Sequence, residues 1–419
     1  MRAVGNRTGL LSEVRFSAPP RGSEQTVTAA ATPASLRRTI PLSVDRDPSL
    51  GLGGKGETVG EAATTLLGEF FERYCAFHPI GEAFDRTTAT YTELRDRGER
   101  VVPAEFLDVV DQSKSESVGF RAFDRETEID WIRGRRTDGR GTYVPVERVS
   151  LAYQIERTLG DAQPHFYASS NGTACGSTLE GAILRSLYEL VERDALMRVW
   201  YTQTSPPVLD VDDQPTVAAV LDRVSSDSTT HALVDLGGVA DVPVVGAIVT
   251  HDESTAPNFL IAASASLDPV SAARDALVES TQGYRHFEKN VARTGLVDGI
   301  DPTKQANLWA CPQLYARPEA FDHVSFLLDG TTSELPAGDQ WGEDRRLRAE
   351  LEALLDRLHR HDFRPIVVDV TTPDVRSLGM HVTRVLAPRL VDLVLPAIPP
   401  IDHPAFDDGL ATEKGHPIA

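Results

Sequence analysis

The chain has 419 residues, with 62 acidic against 42 basic side chains and a formal charge of −20. That length suits two domains or one large elaborated α/β unit, and 41% hydrophobic residues suffice for a core, which excludes global disorder. The acidic balance, interrupted by no basic run, argues against a nucleic-acid or anionic-membrane surface.

Only 5 of the 42 basic residues are Lys, which fits a salt-adapted cytoplasm or simply a GC-rich genome. Cys75, Cys175 and Cys311 lie far apart without CxxC spacing, as expected in a reducing compartment and not in a zinc ribbon or disulfide framework. No secretory h-region follows Met1 and no apolar run has the length of a bilayer span, so the sequence reads as cytoplasmic and globular.

In chain order, residues 1–49 form a polar, Pro/Ser-rich segment that looks loosely structured, and residues 50–395 carry the regular elements. A Pro-containing tail occupies 396–419. Tyr143–Val146 and Val149–Tyr153 read as strands, as do Val244–Val249 and Phe259–Ala263 with their β-branched and small apolar residues. Residues 205–217 and 328–345 read as loops. A helix is expected from Arg345 to His361, with Leu347, Leu351, Leu354, Leu355 and Leu358 on one face. A strand over Pro365–Val370, a Thr-Thr-Pro turn and a further helical segment follow. Alternating strands and helices give an α/β or α+β fold.

The most informative feature is an internal repeat. Gly56, Thr58, Ala62, Leu67, Glu69, Glu72 and Arg73 recur 120 residues later as Gly176, Thr178, Ala182, Leu187, Glu189, Glu192 and Arg193. A fainter third copy holds Ala272, Leu277 and Glu279, with Gln282 at the second Glu position. Each full copy predicts a Gly-containing turn and then an amphipathic helix. At about 100° per residue, Glu69, Glu72, Arg73, Thr65 and Ala62 share one face, opposite Leu67, Phe70, Phe71 and Tyr74.

One such stripe is ordinarily a solvated face, since Glu69 and Arg73 are a common i,i+4 pair. Three copies with Ala held at one offset change that balance, because a small residue on the polar side implies close packing there. Several helices offering paired carboxylates to one centre need a cation between them. Carboxylate oxygens suit Mg2+, which usually arrives with phosphates that Lys55, Arg73 and Arg193 can contact. The reading is a carboxylate-rich Mg–nucleotide site. It is neither a Walker A loop, since Gly56 follows Lys55 where Ser or Thr is required, nor a Rossmann fingerprint.

Gly54-Lys55-Gly56 with Glu69-Phe70-Phe71-Glu72-Arg73, and Ser170-Asn171-Gly172 with Glu189-Leu190-Val191-Glu192-Arg193-Asp194, resemble the YcaO family over about residues 50–395. The resemblance implies a YcaO-like α/β (α+β) fold with an internal pseudo-repeat, in which carboxylate-bearing helices on β-sheets surround Mg2+ and ATP. It implies ATP-dependent O-phosphorylation of a peptide backbone amide, giving azolines from Cys, Ser or Thr, or thioamides from external sulfur. Metal contacts are implied for Glu69, Glu72, Glu189 and Glu192, and Arg73 and Arg193 would brace carboxylates or phosphates. Glu72, Glu192 and Arg193 are the expected catalytic set; Lys55, Thr65, Ser177, Glu279, Gln282 and Arg285 join them on the nucleotide side.

Two departures stand out. Gly181 holds a position where the family often has Glu, although Glu61 occupies the equivalent place in the first copy. The ending Gly415-His416-Pro417-Ile418-Ala419 only partly matches the Pro-rich tail of azoline-forming members. An alternative is therefore a weakened nucleotide-binding partner in a peptide-modifying complex, and a plainer one a metal-binding protein without nucleotide. The expected partners are a peptide or protein substrate and a substrate- or sulfur-delivering protein, with a homodimer allowed. Cys75 is expected to be a buried small hydrophobe, and Cys175 to fill a tight turn, with approach to substrate as the alternative. His286 and His381 are expected on helices in structural roles, and Trp131, Trp200, Trp309 and Trp341 form no stacking platform.

Overall fold

The computed structural model describes residues 4–5, 9–17, 27–40, 42–45, 47, 52–56, 58–78, 85–107, 109–225, 228–251, 257–297, 299–301, 303–304, 308–335 and 347–418. The chain divides into two compact units: Met1–Leu107, Gly119–Leu187 and Arg364–Pro388, and then Asp108–Val118, Tyr188–Phe363 and Arg389–Ala419.

The first unit opens with β1 (Leu11–Ser17), β2 (Val27–Pro33) and β3 (Gly53–Gly56) in an antiparallel sheet of that order. The N-terminal segment thus contributes two strands where the composition suggested loose structure. One face suffices to hold it, with Leu11 and Ala29 buried and most other positions wet. Helix α1 (Val59–Ala76) packs on β2 and β3. It buries Leu66, Phe70, Phe71 and Tyr74, each large apolar side chain contributing about 1.5–3 kcal/mol.

Next come β4 (Arg86–Ala89), β5 (Ile129–Arg136), β6 (Gly141–Pro145) and β7 (Thr173–Gly176). Val146–Val149 and Ala152–Leu159 are helical, so the strand expected over Val149–Tyr153 is absent. Buried Val146 and Val149 lie three apart on a single helical turn, and β-branching alone misled the reading. Helix α2 (Leu179–Thr202) follows β7 and runs on into the second unit.

The second unit holds β8 (Val208–Asp210), helix α3 (Pro215–Val224), β9 (Thr229–Asp235), β10 (Val244–His251) and β11 (Phe259–Ala265). Helix α4 (Pro269–Thr294), β12 (Thr332–Glu334) and helix α5 (Leu347–Arg360) complete it. The sheet order is β11-β10-β9-β8-β12, with β12 parallel to β8. Strands β8 and β12, three residues each, fall where loops were expected, because so short an edge pair carries no periodicity. Ala272, Ala273, Ala276 and Leu277 let α4 lie close against the sheet beside Leu233, Val245 and Ala247. The expected start of α5 at Arg345 and the side chain of Trp341 lie outside the described residues.

The chain re-enters the first unit with β13 (Ile366–Asp369) and β14 (His381–Leu386), which complete the order β4-β5-β13-β14-β7 while β6 pairs with β5. His381 therefore sits on a strand, since only Pro373–Ser377 forms the helical segment. His286 lies on α4 as expected.

Candidate functional site

In the first unit the site begins where β3 turns into α1. A Cβ on Gly54 would stand 2.1 Å from the Ala62 carbonyl oxygen, and one on Gly56 would stand 2.7 Å from the Ala62 amide. Strand and helix therefore meet backbone to backbone, which only glycine permits. This corrects the reading of Ala62: its helix face is small because β3 covers it, and Ala62 is fully buried. Thr58 caps the helix by accepting from the Glu61 amide at 3.2 Å.

Further along, exposed Thr65 donates its hydroxyl to the Lys55 carbonyl at 2.9 Å. Glu69 accepts from the Gly53 amide at 2.8 Å and, through its other oxygen, from Arg73 Nε at 3.1 Å and Nη2 at 2.9 Å. Both side chains are about a quarter exposed. Glu72 is half-buried, and its charge reaches the Cys175 thiol.

The same turn recurs at β7. A Cβ on Gly176 would again lie 2.7 Å from the amide it faces, now that of Ala182, and Thr178 accepts from the Gly181 amide at 3.1 Å. Ser177 is exposed at this turn. Cys175 is not a turn residue but part of β7, paired with Val382. Burial pushes its thiol up to about 12 and that of Cys75 up to about 11. Neither is a nucleophile at neutral pH.

In the second unit α2 and α4 bring Glu189, Glu192, Arg193 and Glu279 into one electrostatic cluster. Arg193 Nη2 lies 3.4 Å from Glu192, with the two side chains 17% and 14% exposed. Burial opposes the Arg193 charge, but Glu192, Glu189 and Glu279 together outweigh it and hold the guanidinium protonated. Arg193 Nε is buried without a hydrogen-bond partner among the described residues, and so are both amide atoms of Gln282, one turn beyond Glu279. Half-buried Arg285 follows on α4, near enough to His231 to help burial hold that imidazole down to about 4.

Asp194, the next residue of the block, is fully buried and accepts from Arg198 Nε and the Val391 amide, both at 2.8 Å. It serves packing, pinning the segment at Val391. His416 is the neighbour that sequence reasoning missed. It is fully buried, donates from Nε2 to the Val394 carbonyl at 2.8 Å, and is pushed down to about 4 by burial, with the Arg193 charge adding to the effect. A tail histidine 223 positions from Arg193 gives no periodic signal.

Among the described residues no three His, Cys, Asp or Glu side chains gather into a ready metal cage. Mg2+ needs none, since it keeps several waters and takes one or two carboxylates beside substrate phosphates. The residues thus fit a metal carried with a nucleotide. Orphaned donors on Arg193 and Gln282 cost about 1–3 kcal/mol each when left dry, and an anionic oxygen would satisfy them. Among described residues, no helix is long and apolar enough to cross a membrane.

A family model described as YcaO cyclodehydratase, ATP- and Mg2+-binding, matches residues 53–391. An uncharacterized protein of Methanothermobacter thermautotrophicus is 26% identical over 353 residues, 80% of each chain. Among solved structures, the fold is similar to a heterocyclase in complex with substrate and cofactor, with TM-score 0.74 and 20% identity over 98% of this chain. The chain spans 54% of the length of that heterocyclase. YcaO from Methanopyrus kandleri, bound with AMPPCP and Mg2+, superposes with TM-score 0.65 at 22% identity, covering 93% of this chain and 88% of that one. A chain of the E. coli microcin synthetase McbBCD complex gives TM-score 0.65 at 15% identity, with 97% and 96% covered. At these identities the likeness is one of fold.

Proposed function

The chain belongs to the YcaO family of ATP- and Mg2+-binding proteins, and from that premise we propose that it activates a peptide backbone amide by ATP-dependent O-phosphorylation, giving an azoline or a thioamide. The observation that carries this reading is the Arg193 cluster, where a charged guanidinium and the Gln282 amide keep buried hydrogen-bonding capacity beside Glu189, Glu192 and Glu279. When bound, ATP with Mg2+ supplies the phosphoryl group that turns the amide oxygen into a leaving group.

The chain's own part is positioning and charge. Glu69, Glu72, Glu189 and Glu192 are the carboxylates offered to the cation. Arg193 donates to a phosphate oxygen from an Nε that no described residue bonds, and Glu192 keeps it oriented. Lys55, Thr65, Ser177, Glu279, Gln282 and Arg285 complete the nucleotide side. Arg73 neutralises Glu69 until a cation takes that role. No protein nucleophile is needed, which agrees with the raised, buried thiols. The substrate is a peptide or protein, delivered by a partner, and the setting is the cytoplasm, where the three free cysteines stay reduced.

ATP turnover, measured with and without candidate peptides, tests the reading. Glu192→Gln is expected to lower turnover about 100-fold or more, and Glu69→Gln to lower it as well; rates unchanged in both variants would sink the enzyme reading. Product mass then separates loss of water from exchange of oxygen for sulfur. Gly181, standing where the first copy has Glu61, favours one second reading, a partner that binds nucleotide without turning it over. ATP binding with no hydrolysis under any peptide would identify it.

A further inference from the structure

The contacts that recur 120 residues apart extend to one pair of side chains with different chemistry. Thr65 Oγ1 donates to the Lys55 carbonyl at 2.9 Å, and Arg185 Nη1 donates to the Cys175 carbonyl at 2.7 Å. Both steps, 65 to 185 and 55 to 175, equal the repeat offset. The two side chains leave matching helix positions and end at matching strand carbonyls, inside turns that also share the Gly–Ala approach and the Thr cap.

What differs is capacity. The Thr65 hydroxyl has one proton, which it shares between the Lys55 carbonyl and the Glu61 carbonyl one turn back. A guanidinium has five N–H donors, of which the Cys175 carbonyl takes one, and the Arg185 side chain is exposed. One turn earlier the first copy has Glu61 and the second has Gly181. Along one helix face the pair Glu61–Thr65 carries a negative charge, whereas Gly181–Arg185 carries a positive one. Glu180 does not restore the balance, since it points about 100° away; Glu189, one turn later, faces Arg185 along the same helix.

From this exchange we propose that Arg185 is a phosphate-binding residue of the nucleotide site, taking phosphate oxygens directly where the first copy offers a carboxylate suited to a cation. The inference rests on the ATP reading above and deepens it. The carbonyl bond holds the guanidinium plane in place, so little rotamer entropy remains to be lost on binding.

Calorimetric titration of the full chain with adenosine and with ATP, in Mg2+, provides the test for wild type, Arg185→Lys and Arg185→Gln. Arg185→Gln is expected to weaken ATP binding about tenfold to a hundredfold, with adenosine binding and the thermal midpoint unchanged. Arg185→Lys should recover part of the loss, as a point charge without the fork. Unchanged ATP affinity in Arg185→Gln overturns the proposal. So does an equal loss for adenosine and ATP with a lowered midpoint, which would leave Arg185 only a clamp on β7. A wild-type chain that binds no ATP overturns the functional reading itself, and this inference with it.

Discussion

The two ExxER blocks share spacing and differ in what their arginines do. In α1, Arg73 is committed to Glu69 through two hydrogen bonds, and the Gly53 amide takes the other carboxylate oxygen. In α2, Arg193 faces three carboxylates, touches Glu192 at 3.4 Å, and keeps Nε unbonded. The first block is locally satisfied and wet; the second is drier and holds unused capacity. Equal spacing thus yields a closed ion pair in one place and a charged guanidinium with an unused donor in the other, and burial makes the difference.

Removing each arginine should separate them most clearly. Arg193→Ala strands three acidic groups around a dry site and is expected to cost about 3–5 kcal/mol. Arg73→Ala removes a partly exposed i,i+4 pair and should cost less than about 1 kcal/mol. Urea midpoints will compare them; similar losses would mean that the two blocks are energetically alike after all. Because the chain has two units, the midpoint of each unfolding transition is the safer readout.

A second contrast is narrower. Gly56→Ala and Gly176→Ala both drive a Cβ to 2.7 Å from a helix amide, so each is expected to cost about 1–3 kcal/mol, and Gly56→Ala the more, because its Cβ would also stand 2.3 Å from the Glu61 Cβ, for which Gly181 has no counterpart. Equal falls in the thermal midpoint would mean that the Glu61 contact gives way freely.

The last effect is pH-dependent and belongs to the second unit alone. His416 is held near 4 against an ordinary 6.5, so the unfolded chain binds its proton more readily than the folded one. Its stabilising contribution is complete above pH 6.5 and declines as pH falls towards 4. Thermal midpoints measured between pH 7 and 5 should drop in the wild type and drop less in His416→Asn. Equal slopes would remove His416 from the account.

The repeat was legible because its contacts are local: a Gly strand, a Thr cap and a helix face are all encoded within about twenty residues. Ala62 was assigned to the right helix face for the wrong reason, since a wheel shows angle but not which strand lies against it. The tail neighbour of Arg193 was illegible because no local pattern links His416 to α2. Strands β1 and β2 were hidden by a polar composition, having only one face to bury, and His381 was placed on a helix because Pro373–Ser377 ends sooner than the sequence suggests. Arg185 stood in plain view in the sequence. Only the carbonyl it shares with Thr65 in the repeat gave it a meaning.

Under the proposed reaction, the three cysteines bear on where its sulfur comes from. Cys75, Cys175 and Cys311 are 2%, 6% and 0% exposed, and burial lifts their thiols to about 11, 12 and 12. Thiols so buried and held protonated are poor nucleophiles at neutral pH and poorly placed to relay sulfur. In a thioamide route every sulfur atom of the product would have to reach the activated amide from outside this polypeptide, as free sulfide or on a donor protein. In an azoline route, the same inertness would leave an activated amide uncaptured by these thiols.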